Sequence, residues 1–352
     1  MNMSTLPSPM ALPLGLLILS FVTTSTLIIP FINLLYKIRF IRAAQTTKDI
    51  FDKPTPIFDK YHKQKKGTPV GGGLLIIAVV SLLFTFIFPV IRYLGVPITN
   101  VYPINEEINI LFFTFISFGL LGLYDDFMKF FKFEKTGFFG LRMRHKFLIQ
   151  WTLGFVIAFL LYINLGIQFF YFPFLGVISL GWLYIPFAAF VIVSFANAVN
   201  ITDGLDGLVS GLLMISLFAF WVLAGSILDT PLSFFLVLWL GAIIAFLYFN
   251  VYPARIMLGD VGSLSFGATF AVVGLLLGKV IALGIFGAIF FIEILSSLLQ
   301  LLSKKYFNRK IFPVAPLHLW LQKYGWEEPK IVQRAWLAGI ILAVFGLWLA
   351  VV

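Results

Sequence analysis

Residues 232–249 read LSFFLVLWLGAIIAFLYF, eighteen positions without a charge. A helix needs about 20 predominantly apolar residues to cross the ~30 Å hydrocarbon core of a bilayer, and this run approaches that length. Similar runs flank it, at roughly 11–36, 70–93, 108–124, 146–167, 182–198, 207–225, 261–278, 280–303 and 331–351. Together they predict an all-α, polytopic integral membrane protein of about ten transmembrane helices, forming one domain over residues 1–352. The runs 108–124, 182–198 and 261–278 are short enough to be partly buried against other helices. Composition agrees. The chain is 61% hydrophobic and 11% charged, whereas soluble domains carry about 25% charged residues. So few charges cannot cover a water-facing surface.

No polar stretch is long enough for a second folded domain, and there is no internal repeat. The absence of cysteine excludes disulfides and thiolate metal sites. Residues 1–8 lack the basic region and small-residue cleavage site of a signal peptide, so the first run is expected to stay as a helix. The segment 168–181 is aromatic and poor in helical signals, which suggests a hairpin at the membrane interface.

The net charge of +10 comes from 25 Lys and Arg against 15 Asp and Glu. All the basic residues except Arg92, Lys279 and Arg334 lie in alternate loops. Nine fall within 37–66, six within 129–146, Arg255 stands alone, and six fall within 304–330. Such bias marks the cytoplasmic side. It predicts cytoplasmic odd-numbered loops and, with an even number of helices, both termini outside. Anionic lipid head groups and an anionic substrate account for the excess, so no nucleic acid is needed. A homodimer is compatible with the sequence, which does not decide the oligomeric state.

Five acids sit where helices meet the cytoplasmic face: Asp125, Asp126, Asp203, Asp206 and Asp260. Ionisable groups at membrane depth are expensive and mark cavities or partners. Asp125 and Lys129 are four apart and share a helical face. Carboxylates at a helix C-terminus oppose its dipole, so helix stability does not explain the pair. It either reaches water beside Lys129, or holds a divalent cation or orients a phosphate nucleophile. Asn197, Asn200, Asp203 and Asp206 recur every three residues across a Gly-containing joint, more polar groups than one helix cap requires. Asp260 precedes Gly262 and Ser263, whose backbone N–H groups are placed to meet a phosphate at a helix start; a plain N-cap is the other reading. His62 and His145 read as solvated loop residues, and Glu293 lies inside an apolar run with no motif to claim it. Carboxylate and amide ligands suit Mg²⁺ or Mn²⁺ rather than zinc. Acids gathered at one face, among so many basic residues, fit diphosphate chemistry better than a transporter site near the midplane.

Five motifs then coincide in order: YHKQKKGTPVGGG at 61–73, Asp125–Asp126, 197–207, 258–267, and APLH at 315–318 continuing to GWEEPK at 325–330. In these the chain resembles the polyprenyl-phosphate N-acetylhexosamine-1-phosphate transferases. The resemblance implies a Mg²⁺-dependent reaction at the cytoplasmic face of a bacterial cytoplasmic (inner) membrane. Undecaprenyl phosphate attacks the β-phosphate of UDP-N-acetylmuramoyl-pentapeptide, UMP leaves, and the first lipid-linked intermediate of peptidoglycan forms. The alternative is a sister activity using UDP-N-acetylglucosamine; the segment 315–330 favours the muramoyl branch.

Carried over by resemblance, Asp260 matches the magnesium ligand, and Asp125 and Asp126 the catalytic pair. Asn200, Asp203 and Asp206 match a polar catalytic loop, and Asn250 and His318 match further polar groups. Lys66 with Thr68 matches an entrance loop, and Arg144 with Lys146 an Arg-x-Lys segment. The family usually reads Pro-Leu-His-His-His-Phe-Glu where this chain has Pro316, Leu317, His318, Leu319, Trp320, Leu321 and Gln322. Leu319, Trp320 and Gln322 thus replace two histidines and the acid of that motif. Direct attack by the lipid phosphate and an aspartyl-phosphate intermediate both remain open, with Asp125 the favoured base.

Overall fold

The computed structural model describes residues 10–42, 65–131 and 143–352. His62 and the basic residues Lys48, Lys53, Lys60, Lys63, Lys132, Lys135 and Arg142 lie outside the described residues. The apolar runs become helices because, in hydrocarbon, backbone N–H and C=O groups can only satisfy one another. In chain order they are α1 (Ala11–Lys37), α2 (Gly72–Tyr93), α3 (Ile104–Phe131), α4 (Met143–Asn164), α5 (Tyr184–Thr202), α6 (Leu208–Ser226), α7 (Thr230–Asn250), α8 (Gly259–Leu276), α9 (Val280–Phe286), α10 (Ala288–Phe307), α11 (Leu317–Lys323) and α12 (Glu328–Val351).

Among the described residues, nine helices are long and apolar enough to cross a membrane, and the pair α9–α10, bent by 75°, adds a tenth if counted as one broken span. The run 280–303, expected as one helix, is therefore broken. The break falls at Gly287, where a Cβ would lie 2.3 Å from the Phe195 ring. The run 108–124 proves longer than expected, because Glu106, Glu107, Asp125, Asp126 and Lys129 are all helical. The expected hairpin is present: β1 (Phe169–Phe172) pairs antiparallel with β2 (Gly176–Ser179), Phe170 facing Ile178.

α8 runs through the middle of the bundle, packed by α2, α3 and α5, and Asp260 alone among its residues escapes burial. Around a second buried helix, α7, stand α1 and α6, while α12 packs on α6. A helix surrounded by protein is apolar all round rather than striped, which is why α7 and α8 show no polar face. In lipid, close approach of small residues replaces the hydrophobic drive between helices. Gly73 and Gly262 touch where α2 crosses α8, and a Cβ on Gly73 would lie 2.2 Å from the Gly262 Cα. Phe115, Trp239 and Phe266 fill the centre with ring centroids 5.3–5.7 Å apart. This packing gathers the C-terminal ends of α3, α5 and α7 with the N-terminal ends of α4, α6, α8 and α12 at one end of the bundle.

Candidate active site

The C-terminal turn of α3 and the first turn of α8 meet because Gly122 lets the two backbones touch. Asp125, Lys129, Lys146 and Asp260 close a ring there. Lys129 Nζ lies 2.7 Å from Asp125 Oδ2 and 2.7 Å from Asp260 Oδ2. Lys146 Nζ, from α4, lies 2.8 Å and 2.6 Å from the same two oxygens. The other Asp260 oxygen accepts from Asn200 Nδ2 at 3.0 Å, and that amide also donates to Ser263 Oγ at 2.8 Å. Two carboxylates thus share two cations in a partly buried place, where charge attraction is far stronger than in water.

The adjacent acids of α3 divide their work. Asp126 is buried and turns inward, accepting from the Val261 N–H at 3.1 Å. It therefore caps α8, at the position where the sequence suggested a bound phosphate. Gly262 likewise serves the contact with Gly73, and Ser263 serves Asn200.

A second constellation surrounds the α5–α6 joint. Lys65 is buried and bridges Asp206 Oδ1 at 2.7 Å and Glu328 Oε1 at 2.5 Å, while donating to the Gly204 carbonyl at 3.0 Å. Glu328 Oε1 also accepts from the Asp206 N–H at 2.6 Å, and Asp206 Oδ2 accepts from the Ala254 N–H at 2.9 Å. Asn250 closes the joint from α7. Its Oδ1 accepts from the Gly207 N–H at 3.2 Å and from Ser210 Oγ at 2.6 Å. Asp203 ends α5, and burial pushes its carboxyl up to about 7. Asp260 and Asp206 add to the rise, while Arg42 and Lys65 oppose it. Burial also pulls the Arg42 guanidinium below its ordinary value, against the raising effect of Asp203, Asp206, Asp260 and Glu328.

His318 completes the arrangement. Its Nδ1 lies 3.0 Å from Glu293 Oε2, its backbone N–H donates to Glu293 Oε1 at 3.1 Å, and its Nε2 faces Gly204. Of the three replaced family positions, Leu319 is buried, Gln322 is buried, and Trp320 packs at a tilt against Phe312 and Tyr324, with ring centroids 5.5 and 5.9 Å away.

Some expected residues stand apart. Asn197 Nδ2 donates to Gln150 Oε1 at 2.8 Å, between α4 and α5. Lys66, Arg144 and His145 are exposed. Thr68 acts through its backbone carbonyl, which accepts from the Arg42 N–H at 2.9 Å. Conversely, sequence motifs alone assign no site role to Lys65, Arg42, Glu328 or Glu293. Lys65 and Glu328 lie inside quoted motifs, and Glu293 carried a signal of its own as a charge within an apolar helix.

Asp260 and Asp125 with Asn200 form an oxygen-rich set shared with two ammonium groups, which suits a hard divalent cation. Among the described residues no three His, Cys, Asp or Glu cluster as a ready metal cage. Mg²⁺ typically takes only one or two carboxylates and completes its shell with water and substrate phosphates, so the donor set fits it.

Residues 108–278 match the model of glycosyl transferase family 4. The chain is 36% identical over 282 residues to the phospho-N-acetylmuramoyl-pentapeptide-transferase of Caldanaerobacter subterraneus subsp. tengcongensis, covering 80% of this chain and 84% of that protein. It is 34% identical over 329 residues to the protein of the same name in Limosilactobacillus fermentum, covering 93% and 96%. A Staphylococcus aureus counterpart is 36% identical over 296 residues, covering 82% and 87%.

Proposed function

The chain belongs to the phospho-N-acetylmuramoyl-pentapeptide-transferase family, and we propose that it carries out this transfer by direct attack of undecaprenyl phosphate on the UDP-linked donor. It is a multi-pass membrane phosphoglycosyl transferase of peptidoglycan synthesis. The relatives carry the muramoyl activity, which favours it over the N-acetylglucosamine alternative. One observation supports the chemistry above others: Lys129 and Lys146 are each shared between Asp125 and Asp260 at 2.6–2.8 Å, at the end of the spans where a lipid phosphate arrives.

Phosphoryl transfer asks a protein for positioning and charge neutralisation more than for covalent chemistry. A lipid-phosphate oxygen forms the new bond to the donor's β-phosphorus, the bond from β-phosphorus to the UMP oxygen breaks, and UMP leaves. Asp125 accepts any proton the lipid phosphate carries. Lys129 and Lys146 then pair with phosphate oxygens in place of carboxylates, and Asp126 keeps Asp260 in register by holding α8. Asp260, aided by Asn200, would hold Mg²⁺, which when bound supplies charge stabilisation on the diphosphate. The lipid phosphate is already an oxygen nucleophile, so an aspartyl-phosphate step adds a displacement without need. We place the site on the cytoplasmic face of the inner membrane, with both termini outside, on the strength of the basic loops.

UMP release by purified protein tests this reading. Release is expected with UDP-N-acetylmuramoyl-pentapeptide, lipid phosphate and Mg²⁺, and neither without the metal nor with UDP-N-acetylglucosamine. Asp125→Asn should lower turnover roughly 10²-fold or more, the scale of a lost general base. Covalent retention of β-phosphate label by the wild-type protein without lipid, chased into lipid when lipid is added, would overturn direct attack.

A further inference from the structure

Glu293 is a buried acid near this end of the bundle that the transfer scheme leaves unused. It lies on α10 and is 4% exposed. Both carboxylate oxygens turn toward one residue of another element. His318 N lies 3.1 Å from Oε1 and 3.3 Å from Oε2, and His318 Nδ1 lies 3.0 Å from Oε2. His318 is itself 1% exposed. On the far side of the ring, a Cβ at Gly204 would lie 2.4 Å from Nε2 and 2.9 Å from Cε1. The imidazole is therefore clamped between a carboxylate and the backbone joining Asp203 to Asp206.

From this geometry we propose that Glu293 is the positioning residue of His318, a role that rests on His318 serving the transfer. A carboxylate can only accept, so Nδ1 must carry a proton in both charge states of the ring. Proton exchange is thereby confined to Nε2, the nitrogen that faces the 203–206 loop. Capping alone does not account for the arrangement. One oxygen would cap the His318 N–H, and a charge inside an apolar helix is a costly source of a cap for the seven-residue α11. The second contact, to the ring, is what a cap has no use for. It sets tautomer and orientation together, as an acid behind a catalytic histidine does.

Glu293→Gln separates the two roles. Its amide oxygen still accepts from the His318 N–H, but its NH₂ now faces Nδ1 and donates, which moves the neutral ring's proton to Nε2. The chain has three histidines, so ¹⁵N-histidine NMR of the full-length protein, with His62 and His145 substituted for assignment, reads the tautomer. The neutral His318 of otherwise unchanged protein should show protonated Nδ1, and the Gln variant protonated Nε2. Turnover of Glu293→Gln should fall at least roughly 10²-fold, toward the ~10⁴-fold loss of a catalytic histidine in the wrong tautomer, with KM for the nucleotide little changed, whereas Glu293→Asp should regain part of it. Wild-type turnover in a folded Gln variant overturns the proposal. So does protonated Nε2 in the neutral ring when Glu293 is intact, a measurement that stands even if the Gln variant fails to fold. Absence of UMP release by wild-type protein would instead sink the proposed function, and the tautomer would still decide the role of Glu293.

Discussion

Gly122 lies one turn before the acid pair of α3, where that helix crosses the start of α8. In an ordinary helix interior, Gly→Ala is stabilising by about 1 kcal/mol. At this crossing the sign should reverse. A Cβ at 122 would stand 2.1 Å from the Asp260 carbonyl oxygen, 2.4 Å from its carbon and 2.6 Å from the Val261 Cα. These are backbone atoms with no rotamer to yield. Reaching the ~3.5 Å of van der Waals contact moves the helices apart by roughly 1 to 1.5 Å. The Asp126–Val261 bond is 3.1 Å long, so that shift breaks it. Over-packing costs about 1–3 kcal/mol, and an unpaired buried N–H costs about 1–3 kcal/mol. After the helix-propensity gain, a net loss of roughly 1–5 kcal/mol is expected. Asp260 moves with the helix start, and a ~1 Å misplacement costs on the order of 10² in rate. Thermal unfolding in detergent and UMP release read the two effects. Gly284→Ala is the control, because nothing lies within 4 Å of its added methyl. If Gly122→Ala melts and turns over like wild type, the crossing does not hold the site together.

Two further outcomes follow from named residues. Burial is the chief cause that holds the Asp203 carboxyl up at about 7 in the folded chain, against an ordinary value of 3.8. The folded state therefore holds this proton more tightly than the unfolded state, and the contribution of Asp203 to stability falls as pH rises between those two values, ending above about 7. The difference in melting temperature between wild type and Asp203→Asn should change across that window; a difference independent of pH would refute the assignment. The chain has no cysteine, so single cysteines report topology. An impermeant maleimide applied to intact spheroplasts should label position 174, on the hairpin, and leave position 66 unlabelled; labelling at 66 would invert the orientation.

Apolar run length alone specified about ten helical spans, because a bilayer demands internally bonded backbone and runs of this length meet that demand as helices. The placement of charges also singled out acids that the structure gathers at one end of the bundle. Asp125, Asp203, Asp206 and Asp260 were legible because an ionisable group at membrane depth has few structural excuses. Even the weak hairpin signal at 168–181 had a physical basis in aromatic residues without helical patterning.

What only the tertiary structure decided is which neighbour each polar group faces. Asp125 and Asp126 are adjacent in sequence, yet successive helix positions point about 100° apart. One therefore meets the lysines while the other caps α8. Lys65 and Lys66 are likewise adjacent, and it is Lys65 that reaches Asp206 and Glu328. Glu293 and His318 are 25 residues apart and meet only because the chain turns back after α10 and returns through α11. Sequence spacing sets direction along one helix; contacts between helices depend on where Gly122, Gly73 and Gly204 let backbone or ring approach, and those distances exist only once the bundle has packed.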